Sequence, residues 1–200
     1  FKFFVALMHY TGAIHFSVHD RARFKQLKGQ LVLANHPSLI DVVVLISVIK
    51  NADCVVKAHL FKNPFMRGVI KGTGYISNED PQELLEECAA SLSSGHNLII
   101  FPEGTRTTPN EPLKFKRGAA NIATRCRAPI TTVVISMKPS TLTKDTPWYK
   151  VAPTKAYFKM RFANQQFAYT DSFKDEQPAM QARQLTRDLQ HYFTEELRQL

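Results

Sequence analysis

The sequence predicts an α/β fold, a single domain whose mostly parallel central sheet is flanked by helices. Three observations lead there. Apolar runs of strand length alternate with segments of helical period along most of the chain. Two hundred residues, 44% hydrophobic and 22% charged, suit one domain with a sizeable core rather than a disordered chain. No internal repeat or low-complexity tract interrupts the pattern.

The elements follow in order. FKFFVALMHYTGAI (1–14) is apolar and aromatic with one lysine. It is shorter than the roughly 20 residues that cross a bilayer. Residues 1–13 therefore read as a core helix or an interfacial one. The chain opens on Phe rather than Met, which leaves a membrane anchor upstream as an open expectation. IHFSVH (14–19) alternates apolar and polar like a half-buried strand. A polar Lys/Arg-rich link then leads to QLVLAN (30–35), a second strand. LIDVVVLISVIK (39–50) is apolar nearly all round and reads as a buried helix, ADCVVKA (52–58) as a strand and NPFMRGVIKG (63–72) as a short helix.

GTGYISN (72–78) is a glycine-led strand. Asp80-Pro81-Gln82-Glu83 combines an N-cap, a proline at the first helical position and a capping glutamate, starting a helix that runs to Gly95. NLIIFP (97–102) is a buried strand, LKFKRGAANIATRC (113–126) a basic helix and ITTVVIS (130–136) a strand. A loop bearing Trp148 precedes the last strand, KAYFKMRFA (155–163). Ala182, Leu185, Leu189, Phe193 and Leu197 then recur at helical spacing and make the final helix amphipathic.

A formal charge of +9 points to anionic partners: nucleic acid, a membrane surface, or an acidic carrier or substrate. Lys and Arg are scattered and no nucleic-acid motif appears, so nucleic acid is not an expected partner. Cys54, Cys88 and Cys126 are far apart, lack metal-ligand spacing and read as inert buried thiols of a reducing compartment; no metal is expected.

Two stretches carry chemistry. In LVLANHPSLID (31–41) a strand ends in a histidine, with an aspartate five places on at the mouth of a helix. His36 is a candidate general base. A helix N-terminus disfavours its charged form, and Asp41 would fix the tautomer and steady the imidazolium. Ser38 to Asp41 also matches a capping box, with Ser38 as N-cap, and one carboxylate in the first turn can serve both ends. His15 and Asp20 share the spacing, but His15 is simply the polar face of a strand. LIIFPEGTR (98–106) is a strand ending in a turn. Backbone amides around Gly104, the Thr105 hydroxyl and the Arg106 guanidinium would suit an anionic oxygen cluster, with more positive charge following at Lys116 and Arg117. Both stretches follow predicted strands, and in parallel sheets the active crevice lies beyond the carboxyl ends of strands.

NHPSLID followed by FPEGTR resembles the glycerolipid acyltransferases, the lysophosphatidic acid acyltransferase-like group. Asn35, His36 and Asp41 match the family's Asn-His-x4-Asp motif, and Phe101 to Arg106 match Phe-Pro-Glu-Gly-Thr-Arg at all six positions. The likeness covers roughly residues 30 to 136. It implies an α/β acyltransferase domain held at a membrane, with His36 as general base and Asp41 as its orienting partner. It also implies that Glu103 and Arg106, with Gly104 and Thr105, bind the acceptor's glycerol-phosphate end. The family's second motif ends in a phosphate-contacting arginine, and here Asn78 stands in that place. Asn lacks the bidentate charged clamp, and Arg67, Lys71 or Arg117 are candidates to compensate. In the fourth motif, PITTV, Pro129 is kept and Thr132 replaces a second proline, which bears on acyl preference.

The expected activity is O-acyl transfer from an acyl-thioester to a hydroxyl of a lysophospholipid such as 1-acylglycerol-3-phosphate. The co-substrate is acyl-CoA or an acidic acyl carrier protein, with no other cofactor. The implied location is the cytoplasmic face of the inner membrane. A non-catalytic membrane- or carrier-binding module of the same fold and an acyl-thioesterase are the alternatives.

Overall fold

The computed structural model describes residues 1–56, 75–77, 79–144, 146, 147, 149, 150, 152–163 and 177–199. The helix expected over 63–72, together with Arg67, Lys71, Asn78 and Trp148, lies outside the described residues. In chain order the described elements are α1 (Lys2–Tyr10), β1 (Ile14–Val18), α2 (Arg21–Gln26), β2 (Leu31–Ala34), α3 (Asp41–Val48), β3 (Ala52–Val56), β4 (Tyr75–Ser77), α4 (Pro81–Ser93), β5 (Asn97–Ile100), α5 (Arg117–Cys126), β6 (Ile130–Lys138), β7 (Ala156–Phe162) and α6 (Pro178–Arg198).

Seven strands form one sheet in the order β1-β7-β6-β2-β5-β3-β4. From β6 to β4 all pairs are parallel. β7 runs antiparallel to β6, and β1 joins β7 in parallel, so these two strands point against the other five. Residues of β2 alternate between the two faces. Val32 and Ala34 enter a core with Val5, Phe24, Val44 and Leu45 from α1, α2 and α3. Leu31 and Leu33 enter another with Cys88, Ile122 and Phe193 from α4, α5 and α6. The result is three layers, helices on both faces of the sheet, as the sequence predicts.

Local chemistry accounts for the boundaries. Asp80 Oδ1 accepts from the N–H groups of Gln82 (2.7 Å) and Glu83 (2.9 Å), a cap worth about 1 kcal/mol, and Pro81 follows it. Gly95, at φ +82°, stops that helix in a conformation a side chain would strain. Two expectations need correction. The Lys/Arg-rich link after β1 is helical: α2 turns once and buries Phe24, whose ring stacks on Phe162 at 4.1 Å. The basic stretch 113–126 becomes helix only from Arg117, because Lys116 N–H is drawn to Pro102 O at 2.8 Å and Phe115 N–H to Gln190 Oε1 at 2.9 Å.

α1 is amphipathic but buries only Val5; Phe3 is 79% and Tyr10 86% exposed, with Phe4 and Leu7 also open. Among the described residues no helix is long and apolar enough to cross a membrane. Cys54 and Cys88 are buried, and burial pushes both thiols up to about 12, so neither is a nucleophile near neutral pH. Cys126 is shifted upward by the same cause. Among the described residues no group of three His, Cys, Asp or Glu side chains is placed to hold a metal ion.

Candidate active site

β2 and β5 are adjacent and parallel, so their carboxyl ends leave the sheet at one edge. From β2 the chain passes through α3 to β3 on one side of the pair; from β5 it passes through α5 to β6 on the other. Adjacent strands whose connections diverge open a crevice at their carboxyl ends. His36 and Glu103 sit there. Leu31 lies opposite Leu98, and that offset of 67 residues carries on past the last paired positions to His36 and Glu103. The sheet register thus sets the two motifs level with each other.

His36 Nδ1 lies 2.8 Å from Asp41 Oδ2. Asp41 is fully buried, whereas His36 keeps 17% of its side-chain surface exposed. Among the described residues Nε2 has no hydrogen-bond partner. An ionised Asp41 is acceptor-only, so the proton of a neutral imidazole goes to Nδ1 and the basic lone pair to Nε2. Ser38 N–H also donates to Asp41 Oδ2 at 2.8 Å, and Ser38 Oγ–H donates to Oδ1. The expected capping box is therefore half present. The acid reaches back to the Ser38 N–H, but Ser38 does not cap; α3 begins at Asp41 with Ile40 as its N-cap residue. Burial pushes the Asp41 carboxyl above its usual range, opposed by the His36 and Ser38 contacts. Phe101 stacks on the imidazole, ring centroids 4.0 Å apart at 19°, and fixes its plane.

The FPEGTR turn is bound into this framework. Glu103, nearly buried, accepts the His36 backbone N–H (2.9 Å) and the Thr107 hydroxyl (3.0 Å) on Oε1. Burial pushes its carboxyl upward, against those two bonds, and the Asp41 charge adds to the rise. Thr107 N–H donates to His36 O at 2.7 Å. Asn35, also buried, pairs with β6 through its amide: Nδ2 donates to Ile135 O and Oδ1 accepts Ile135 N–H, both at 2.8 Å.

The expected anion cradle is rearranged. Gly104 N–H donates within the turn to Phe101 O at 2.9 Å, so it does not point to a ligand. Arg106 Nη1 donates to the carbonyls of Leu142 (3.0 Å) and Thr143 (2.6 Å), and Nη2 to that of Lys144 (3.4 Å). These commitments leave two of its five N–H groups. Arg117 is exposed at the first position of α5 and takes part in none of these contacts. The cation beside the turn is Lys116: a Cβ built on Gly104, at φ +65°, would lie 3.0 Å from its Cδ and 3.4 Å from its Nζ. Thr105, half-buried, has no hydroxyl partner among the described residues. Phe101 and Lys116 are both named from the sequence, but their places, one stacked on the imidazole and the other beside Gly104, are contacts that motif spacing does not state.

Pro129 sits at the amino edge of β6, where its carbonyl accepts Leu31 N–H at 2.9 Å, and the buried Thr132 hydroxyl meets Tyr192 at 3.4 Å under α6. At the other edge Asn35, Pro37 and Thr107 line an open cavity of about 750 Å³, together with Leu113, Gln190 and Leu197.

Residues 15–136 match the family described as Acyltransferase. The chain belongs to that family. Among its relatives, the 1-acyl-sn-glycerol-3-phosphate acyltransferase of Helicobacter pylori is 31% identical over 136 residues, covering 64% of this chain and 54% of that protein. The human 1-acyl-sn-glycerol-3-phosphate acyltransferase beta is 29% identical over 143 residues, covering 66% and 50%. The chain spans about half the length of the curated relatives it matches. Its acyltransferase fold is shared with the crystal structure of the 1-acyl-sn-glycerophosphate acyltransferase PlsC from Thermotoga maritima, with a TM-score of 0.68 at 21% identity, covering 98% of this chain and 78% of that one.

Proposed function

We propose that the chain is an O-acyltransferase. It moves a fatty acyl group from an acyl-thioester, acyl-CoA or acyl carrier protein, to a hydroxyl of a lysophospholipid-type acceptor such as 1-acylglycerol-3-phosphate. The observation that carries this reading is the 2.8 Å His36–Asp41 pair at the carboxyl edge of the sheet, with Nε2 unpartnered among the described residues. His36 Nε2 takes the acceptor's hydroxyl proton as its oxygen attacks the thioester carbonyl. The tetrahedral intermediate collapses, the C–S bond breaks, and the departing thiolate takes the proton back from the imidazolium. Ester and thiol leave; His36 ends as it began. No nucleophile from the chain is needed, consistent with both buried cysteines being held protonated.

Lys116, the Thr105 hydroxyl and the remaining donors of the FPEGTR turn supply positive charge and hydrogen bonds for the acceptor's polar head. Asn78 and Arg117 belong to the same expectation, contributed from outside the contacts described. The names of the two relatives described above, both 1-acyl-sn-glycerol-3-phosphate acyltransferases, favour a glycerol-phosphate acceptor. The exposed aromatic face of α1 and the charge of +9 support a chain resting on an anionic membrane, at the cytoplasmic face of the inner membrane, where such lipids lie.

A test incubates the protein with CoA and carrier-protein thioesters and a panel of lyso-lipids with and without phosphate, and identifies products by mass spectrometry. Acylated acceptor that disappears in His36→Ala is the expected result. Free fatty acid would identify a thioesterase, and no product a binding module. A His36→Ala protein as fast as wild type would refute the base.

A further inference from the structure

The segment that carries the imidazole is held from outside by three hydrogen bonds: one to Glu103 of the FPEGTR turn, one to Thr107 just after it, and one to Leu142, whose carbonyl Arg106 of the turn also binds. Glu103 Oε1 accepts the His36 N–H at 2.9 Å, and Thr107 N–H donates to the His36 carbonyl at 2.7 Å. The Leu142 carbonyl accepts the Leu39 N–H at 3.0 Å, and the same carbonyl accepts Arg106 Nη1 at 3.0 Å. Arg106 secures that loop twice more, at Thr143 and Lys144. Leu142 itself sits at φ +55°, a backbone state that a leucine leaves unless its surroundings hold it. The guanidinium on its carbonyl and the next supplies that hold. Arg106 thus props the loop against which the residues between His36 and Asp41 are pinned.

We infer that Glu103 and Arg106 are positioning residues for the His36–Asp41 pair, and that the acceptor's head is not what their committed groups bind. The claim rests on the acyl-transfer reading. Its physical content is geometric: Glu103 fixes one end of the five-residue span, Arg106 acts through Leu142 on its middle, and Asp41 closes it. Displacing a general base by about 1 Å costs on the order of 100-fold in rate, whereas ground-state binding of an acceptor held by other groups is left alone. The charge of Glu103 is not required for its role, since both of its partners are donors that any well-placed oxygen can satisfy.

The experiment is steady-state kinetics of the full chain with varied acceptor at saturating acyl-CoA. Glu103→Ala is expected to lower kcat about 10- to 100-fold with the acceptor KM within about twofold. Glu103→Gln should recover most of that loss, because its amide oxygen accepts both donors. Arg106→Ala should show the same split, and Arg106→Lys only partial recovery, since one ammonium does not span three carbonyls. Should Glu103→Ala fail to fold, Arg106→Ala, at a half-exposed position, carries the test. A tenfold rise in acceptor KM at unchanged kcat overturns the inference, as does a Gln variant no faster than the Ala variant. A wild-type chain inactive toward every acceptor would instead sink the transferase reading, and this inference with it.

Discussion

Replacing Asp41 with asparagine isolates the charge of the carboxylate from its hydrogen bonds. Three donors converge on Asp41: His36 Nδ1–H at 2.8 Å and Ser38 N–H at 2.8 Å on Oδ2, and the Ser38 hydroxyl on Oδ1. An asparagine with its oxygen in the Oδ2 position keeps the first two. Its NH2 group then donates to Ser38, whose hydroxyl can rotate to accept. The neutral ground state therefore changes little. The difference appears as the imidazole gains a proton. Unit charges ~4 Å apart at an effective dielectric near 20 attract by about 4 kcal/mol, and neutral hydrogen bonds recover about 1 kcal/mol of that. A remaining ~3 kcal/mol corresponds to a kcat lowered about 100- to 200-fold.

Stability should move the other way. Burial raises the Asp41 carboxyl in the folded state, so the native protein holds that proton more readily than the unfolded chain does. The associated stability is complete below the unfolded value and is lost as pH climbs through the folded one. Above the unfolded value Asp41 therefore weighs against folding, and at pH 7.5 Asp41→Asn should melt at or above the wild-type Tm. Thiol release from acyl-CoA at saturating acceptor measures the rate, and scanning fluorimetry the Tm. A kcat within fivefold of wild type would show that the charge is idle. A Tm several degrees lower would trace the loss to misfolding, and either result refutes the reasoning.

The other predictions concern the frame around the pair. Glu103, raised mainly by burial, should likewise make the wild type lose stability relative to Glu103→Gln as pH rises from 5 to 8; urea unfolding at the two pH values measures it, and a change of opposite sign overturns the assignment. Asn35→Leu strips the Ile135 N–H and C=O of their buried partners, and at about 1–3 kcal/mol each should destabilise the fold by roughly 2–6 kcal/mol in urea; a loss under about 1 kcal/mol would mean the strand ends re-pair without it. Gly104→Ala meets strain at φ +65° of about 1–2 kcal/mol and a Cβ 3.0 Å from Lys116, so it should both lower Tm and raise the acceptor KM by displacing the ammonium; an unchanged KM would exclude Lys116 from the head-group site.

What the sequence made legible was whatever is local or periodic. The Asp80-Pro81 cap, the apolar stripe of α6 and the strand-turn form of both motifs are written in neighbours, and they stand as expected. What it concealed depends on partners far along the chain. α2 has one buried residue, Phe24, too few for a period, and its partner Phe162 is on β7. Arg106 looks like an anion-binding arginine until the carbonyls of residues 142–144 arrive beneath it. Glu103 meets His36 only because two parallel strands align with an offset of 67, a register that neither strand states alone. The reversal of β1 and β7 was equally hidden, since an apolar alternation has no direction.

That reversed pair has a bearing on how the protein is made. β2, β5 and β6, the strands beneath the catalytic edge, find one another within the stretch from residue 31 to residue 138. β1, although it comes before all of them, has β7 as its sole strand partner among the described residues, Ile14 against Ala156, and so waits for β7 to emerge. During translation these three strands can therefore pair while the free edge of β6 is still open and Phe24 lacks its stacking partner Phe162. Nascent chains are vulnerable to aggregation in that interval, and the arrival of β7 ends it.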